Sequence, residues 1–240
     1  MKNKKFRFGL EIECGKTVRI DYNDYYNNRS DFRNSFSKLF KSKFKNWTID
    51  DDGTVNFSCS FEFQSPILNI KDLDKVKEVL SLLKKNSIKV NNSCGLHVHV
   101  DTPTELEAKK LSLLYSILQK QINKIAKRVY NEYCRQTKIG EIIDFDYRSN
   151  DTYYRQHDKK YMSVNILPLK WKKKNIEFRQ HYATLNFNIM RRWILFLRNL
   201  KRKSDKSSLK QIVSIYCMTE KQKEKIFKDL LKGTKWHQQS

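Results

Sequence analysis

Glycine and proline are scarce in this chain of 240 residues, at six and three. Neither G-x-G-x-x-G nor G-x-x-x-x-G-K-[ST] occurs, so the two familiar glycine-rich phosphate loops are excluded. No apolar run approaches the ~20 residues of a membrane-spanning helix. The start, MKNKKFRFGLEIE, is basic but lacks the apolar stretch and cleavage site of a secretory leader, which predicts a cytoplasmic protein. The cysteines (14, 59, 94, 134 and 217) are odd in number and form no C-x-x-C pair. They predict reduced, mostly buried thiols and argue against a structural zinc site. Acid is also short: 26 Asp and Glu face 49 Lys and Arg, a net charge of +23. Such an excess suits nucleic acid or another polyanion. Crowding of Lys, Asn and Ile beside three Ala equally fits AT-rich coding bias, and composition leaves both open.

The hydropathy pattern alternates strands and helices within one α+β domain, residues 1–240, with a mainly antiparallel sheet. Residues 5–14 read as a strand, with Phe8, Leu10, Ile12 and Cys14 on one side and Glu11 and Glu13 on the other. Residues 30–45 read as a helix capped by Ser30, its apolar stripe being Phe32, Phe36, Leu39, Phe40 and Phe44. A turn at 51–53 precedes a strand at 54–64, and a helix follows at 72–85. A strand is expected at 95–101. Thr102-Pro103-Thr104-Glu105 then starts a helix, with Thr102 as cap and Leu106 among its core residues, that runs to about 134. Residues 135–160 read as a flexible polar loop. Strands at 161–167 and 175–182 lead to helices at 186–201, 206–217 and 219–232, the last closed by Gly233.

Side chains two apart on a strand share a face. That rule pairs Glu11 with Glu13, Glu62 with Gln64, and His97 with His99, and it aligns Glu177, Arg179 and His181. Solvated outer faces in this chain would carry Lys, Asn and Ser, yet these four strands carry Glu, His, Gln and Arg. The pattern predicts a curved sheet around a polar cleft whose clustered carboxylates require cations to hold them together. Three or more carboxylates with an imidazole suit Mg²⁺ or Mn²⁺. Without a glycine-rich loop, any nucleotide phosphates must be held by those ions and by side chains of the sheet.

Six stretches occur in order: GLEIE (9–13), WTIDDDG (47–53), FEFQSPIL (61–68), CGLHVHV (94–100), YMSVNILP (161–168) and IEFRQHYATLN (176–186). Together they resemble the amidoligase family, compact relatives of glutamine synthetase and glutamate–cysteine ligase. The resemblance covers roughly residues 6–200 and leaves 201–240 as a C-terminal helical extension. It implies a glutamine-synthetase-like catalytic domain that joins a carboxylate to an amine at the expense of ATP, through an acyl phosphate. It also implies roles. Glu11 and Glu177 hold one metal, and Glu13, Glu62 and His97 a second. His99 and Lys160 touch phosphates, Arg179 stabilises the phosphoryl group in flight, and Arg128 is a further catalytic arginine. Asn92 and Asp52 are substrate contacts. At Lys159-Lys160 the chain departs from the family pattern, which carries an arginine there, and lysine lacks the bidentate fork. The alternatives to a ligase are another metal-dependent hydrolase or phosphotransferase, and a non-catalytic basic module for nucleic acid or another polyanion. The carboxylate and amine substrates, the former or the latter carried on an acidic macromolecule, are not named by the sequence.

Overall fold

A computed structural model of the chain describes residues 5–17, 25–127, 134–145, 160–169 and 173–234. The fold is mixed, with helices backing an open antiparallel sheet. The chain divides into two compact units, the first built from 1–97 and 182–187, the second from 98–181 and 188–240. Strand β5 (Gly95–Asp101) begins in the first and ends in the second.

In the first unit the strand order is β2-β3-β1-β5, where β1 is Arg7–Lys16, β2 Thr48–Asp50 and β3 Cys59–Gln64; β4 (Leu68–Asn69) also pairs with β1. The pairings of β1 with β3 and β4, and of β2 with β3, are antiparallel. Along β1 the period-two reading holds: Phe8, Leu10, Ile12 and Cys14 are each at most 1% exposed. Helix α1 (Tyr25–Lys43) covers β3. Phe36 lies 5.8 Å from Phe61 and Phe40 4.7 Å from Phe63, between ring centroids. Helix α2 (Leu73–Lys85) buries Val76, Val79, Leu80 and Leu83, its apolar stripe. Two expectations fail in α1. Ser30 lies inside the helix, not at its cap, and Leu39 is 37% exposed. The strand expected from 54 starts only at Cys59. In the stretch before it, Asp52 Oδ1 accepts from the Thr54 backbone N–H and hydroxyl, a local turn that competes with pairing. Strand β2 was not foreseen, because three residues are too few to show a period. Gly15 is a close approach: a Cβ there would sit 2.5 Å from Phe57 side-chain atoms.

The second unit orders its strands β5-β7-β6, with β6 Val164–Asn165 antiparallel to β7 Asn175–Tyr182. Helix α3 (Glu105–Ile117) starts at Thr104, whose hydroxyl accepts from Glu107 N–H. Thr102 is therefore not the cap; its N–H donates to Lys174 O at 2.8 Å. Leu106 faces outward at 56% exposure. The long helix expected to reach 134 breaks at Leu118, whose N–H is shared among three carbonyls. It resumes as α4 (Gln119–Ala126), and left-handed Lys127 ends it. No Gly or Pro marks either break. Helix α5 (Ile139–Ile143) lies in the stretch read as loop, of which 146–159 fall outside the described residues. The strand expected over 161–167 is reduced to β6. Helices α6 (Phe187–Lys206), α7 (Leu209–Tyr216) and α8 (Glu220–Leu231) follow much as the periodicity predicts, and Gly233 adopts φ +75°.

A hydrogen-bonded polar network fixes the face of β7 opposite Glu177 and Arg179. Gln180 Oε1 accepts from Tyr115 Oη at 2.7 Å and from Gln119 Nε2, and Gln180 Nε2 donates to Asn123. Gln119 Oε1 accepts from Ser163 Oγ at 2.9 Å, and Ser163 in turn lies 2.9 Å from Thr137 Oγ1. Buried amides satisfied on both ends hold a strand more specifically than apolar contact does. Four of the five thiols, Cys14, Cys59, Cys94 and Cys134, are buried, and Cys217 is exposed. Among the described residues no helix is long and apolar enough to cross a membrane.

Candidate functional site

In the first unit, strand register brings the acids together. Glu13 stands directly opposite Glu62 across β1 and β3, and Glu62 stands opposite Asp50 across β3 and β2. Like charges facing each other across a sheet are destabilising unless something neutralises them. His97, 1% exposed, sits among them: its Nδ1 is 3.2 Å from Glu11 Oε2 and its Nε2 3.2 Å from Glu13 Oε1. Glu13 is itself 4% exposed and accepts a hydrogen bond from Gly95 N–H. Glu62 Oε1 accepts from Gln64 Nε2 at 2.5 Å, and Gln64 Oε1 accepts from Thr48 Oγ1. Ligand atoms of Glu11, Glu62 and His97 lie within 4.8 Å of one another, as do those of Glu13, Asp52 and Glu62. Donor atoms that close can share one divalent ion. The donor set, carboxylate oxygens with one imidazole, fits Mg²⁺ or Mn²⁺.

The electrostatics agree. Burial pushes the Glu62 carboxyl above its ordinary range, and Glu11 and then Glu13 add to this, against the Gln64 hydrogen bond and His97. An acid whose folded value is raised stabilises the fold at low pH. That contribution is lost as pH rises from about 4.3, the ordinary glutamate value, through the raised one. In chelator, Glu62→Gln should therefore gain stability relative to the unmutated chain between pH 4 and pH 8, and saturating Mn²⁺ should reverse the order at pH 8. Thermal melts at both pH values check this; a difference independent of pH would remove Glu62 from the strained cluster.

In the second unit, Glu177 (4% exposed) and Arg179 (6%) form a buried ion pair through Glu177 Oε1. Glu177 Oε2 accepts from Asn165 Nδ2 at 2.7 Å, and the Arg179 guanidinium lies 5.9 Å from the centre of the Tyr161 ring. The neighbouring Lys160 is exposed, its ammonium 5.6 Å from the same ring. His99 Nδ1 is 3.2 Å from Asn175 Oδ1. His181 shares the parity of Glu177 and Arg179 but not their surroundings. It is fully buried, 4.9 Å from the Trp193 ring on α6.

The structure thus gathers Glu11, Glu13, Glu62, His97 and Asp52 in one unit, and Glu177 and Arg179 in the other. Asp52, read as a substrate contact, stands within the carboxylate group. Asn92 is an exposed loop residue, and Arg128 lies outside the described residues. Three polar residues escaped the sequence reading. Asp50 lies on the short β2. Asn165 lies within the YMSVNILP stretch, opposite Glu177, to which its amide donates. Asn175 opens β7 as the partner of His99.

No curated protein sequence matches the chain. The family model described as "Putative amidoligase enzyme" matches residues 4–201, which takes in every strand described above and helices α1 to α5. The chain belongs to that family of amidoligase enzymes.

Proposed function

We propose that the protein is an ATP- and Mg²⁺-dependent carboxylate–amine ligase with a glutamine-synthetase-like catalytic fold. A carboxylate substrate takes the γ-phosphoryl group of ATP, giving an acyl phosphate and ADP. An amine then attacks the acyl carbon and expels phosphate, leaving an amide. The observation that carries the reading is the group of Glu11, Glu13, Glu62 and His97, acids opposed on paired strands around a buried imidazole in a chain without a phosphate loop. When bound there, a divalent cation supplies charge neutralisation to the nucleotide phosphates. Glu11, Glu13, Glu62 and His97 would hold it, and Asp52 lies near enough to Glu13 and Glu62 to join them. Glu177 is read as a ligand of a second ion, Arg179 as the donor to the migrating phosphoryl group, and His99 and Lys160 as phosphate contacts.

The test is calorimetric. ATP should bind with Mg²⁺ or Mn²⁺ present and should lose that binding in excess chelator. Tight ATP binding without a divalent ion would defeat the metal-bridged reading. A hydrolase or phosphotransferase on the same residues would release ADP or phosphate without any amine. The ligase should yield a condensation product lighter than its two substrates by one water.

A further inference from the structure

Four of the chain's thirteen arginines fall between 191 and 202, on helix α6. A coding bias toward lysine explains scattered Lys and does not explain this concentration. Arg191, Arg198 and Arg202 are separated by seven and four residues, so they lie on one side of the helix. At about 1.5 Å per residue they extend over roughly 16 Å. Between them Ile194 and Leu195 turn inward and are buried, so the stripe borders the packed face. Arg191 and Arg198 are half-buried and Arg202 is exposed.

None of the three forms an ion pair among the described residues. Arg198 is instead held by a neutral group. Its Nε and Nη2 donate to Asn199 Oδ1 at 3.4 and 3.2 Å, and Asn199 Nδ2 donates to the carbonyls of Leu230 and Lys232 beyond it. The guanidinium is oriented while its charge is left uncancelled. Burial, and then the nearby Arg202 and Arg191, hold Arg198 below the usual arginine range. The neighbouring acids are engaged elsewhere, Asp205 with Lys201 and Asp229 with Lys232. Lys203 and Lys225 also act on Asp229, which places a second group of cations nearby.

We propose that this arginine stripe on α6 binds the phosphate backbone of double-stranded nucleic acid without reading its sequence. One small anion cannot engage guanidiniums spread along 16 Å, whereas a strand of regularly spaced phosphates can, each taken by a planar fork. A single strand would be gripped by base stacking on aromatic rings. The aromatic side chains of α6 beyond its first turn, Trp193 and Phe196, are buried. An acidic peptide offers carboxylates without fixed spacing. The proposal is independent of the ligase reading, since α6 carries none of the metal-binding carboxylates.

The experiment uses the full chain and a fluorescent mixed-sequence duplex of 20 base pairs, with anisotropy read from 50 to 200 mM salt. The variant R191Q/R198Q/R202Q is compared with K77Q/K84Q/K85Q, which removes the same charge from exposed positions on α2. The arginine variant should bind at least about tenfold more weakly at 100 mM salt. Its salt slope should be shallower by about 2 to 3, near 0.9 per lost phosphate contact. The lysine variant should stay within about twofold of the unmutated chain. Circular dichroism checks that both fold, and Arg202→Gln alone, at an exposed site, serves if the triple variant does not. Equal losses in the two variants would assign the binding to overall charge and overturn the proposal. So would undetectable duplex binding, or poly-glutamate of matched charge competing as well as the duplex.

Discussion

Arg179→Lys is expected to lower turnover by roughly 10²-fold or more, on the scale of a lost electrostatic donor at a transferring group. In the structure Arg179 neutralises buried Glu177 and lies over Tyr161. Lysine keeps the charge beside Glu177, so the melting temperature and the affinity for ATP with Mg²⁺ should change little. What lysine lacks is the planar pair of donors that spans two oxygens of a phosphoryl group. ADP release in the presence of an acceptor-containing extract measures the first quantity and a thermal melt the second. If turnover survives, Arg179 serves only to balance Glu177. If turnover and melting temperature fall together, the residue is structural, and β7 loses its place in the reaction.

Glu177→Gln should abolish product formation, with a second signature that the ion pair makes unavoidable. Both oxygens of Glu177 are engaged, one by Arg179 and one by Asn165. Removing the carboxylate charge takes away the acid paired with a guanidinium that is 6% exposed. Breaking a buried pair in this way costs about 3 kcal/mol or more. The variant should thus be inactive and less stable, which on its own would not separate a ligand from a structural residue. The double variant Glu177→Gln/Arg179→Gln removes both charges and should recover much of the stability while staying inactive. Turnover that returned with stability would show that Glu177 only anchors Arg179.

The parts of this molecule that were legible in sequence share a physical cause. On β1, β3 and β5 a period of two separates an apolar side from a polar one, so Glu11 and Glu13, Glu62, and His97 could each be assigned to the polar side of its strand from spacing alone. The same rule misleads at His181. Near its end β7 is covered by α6, and Trp193 rather than the polar face receives the ring. Parity says where a side chain points; what it meets depends on helices more distant in sequence. The helix cap lies two residues later than the sequence alone suggests, for a related reason. Thr102 and Thr104 both suit a cap, and the choice is made by a tertiary bond from Thr102 to the Lys174 carbonyl. The break at Leu118 follows from no local signal, yet it lies beside the Gln119–Gln180 contact that ties α4 to β7. Tertiary hydrogen bonding at that point has overridden a helical periodicity that continues on either side.

The distribution of the cysteines supplies an experimental handle. Cys217, at the end of α7, is the exposed thiol, whereas the other four are buried and Cys14 is further held in its unreactive protonated form by burial beside Cys94 and Glu13. A maleimide dye added to the native protein should couple at Cys217 alone, placing a reporter on the second unit without any engineered cysteine. As denaturant is raised, the number of couplings per chain becomes a direct reading of which cores have opened. Cys14, Cys59 and Cys94 report on the first unit and Cys134 on the second, so intact mass after brief labelling would show whether the two units unfold in one step or in succession.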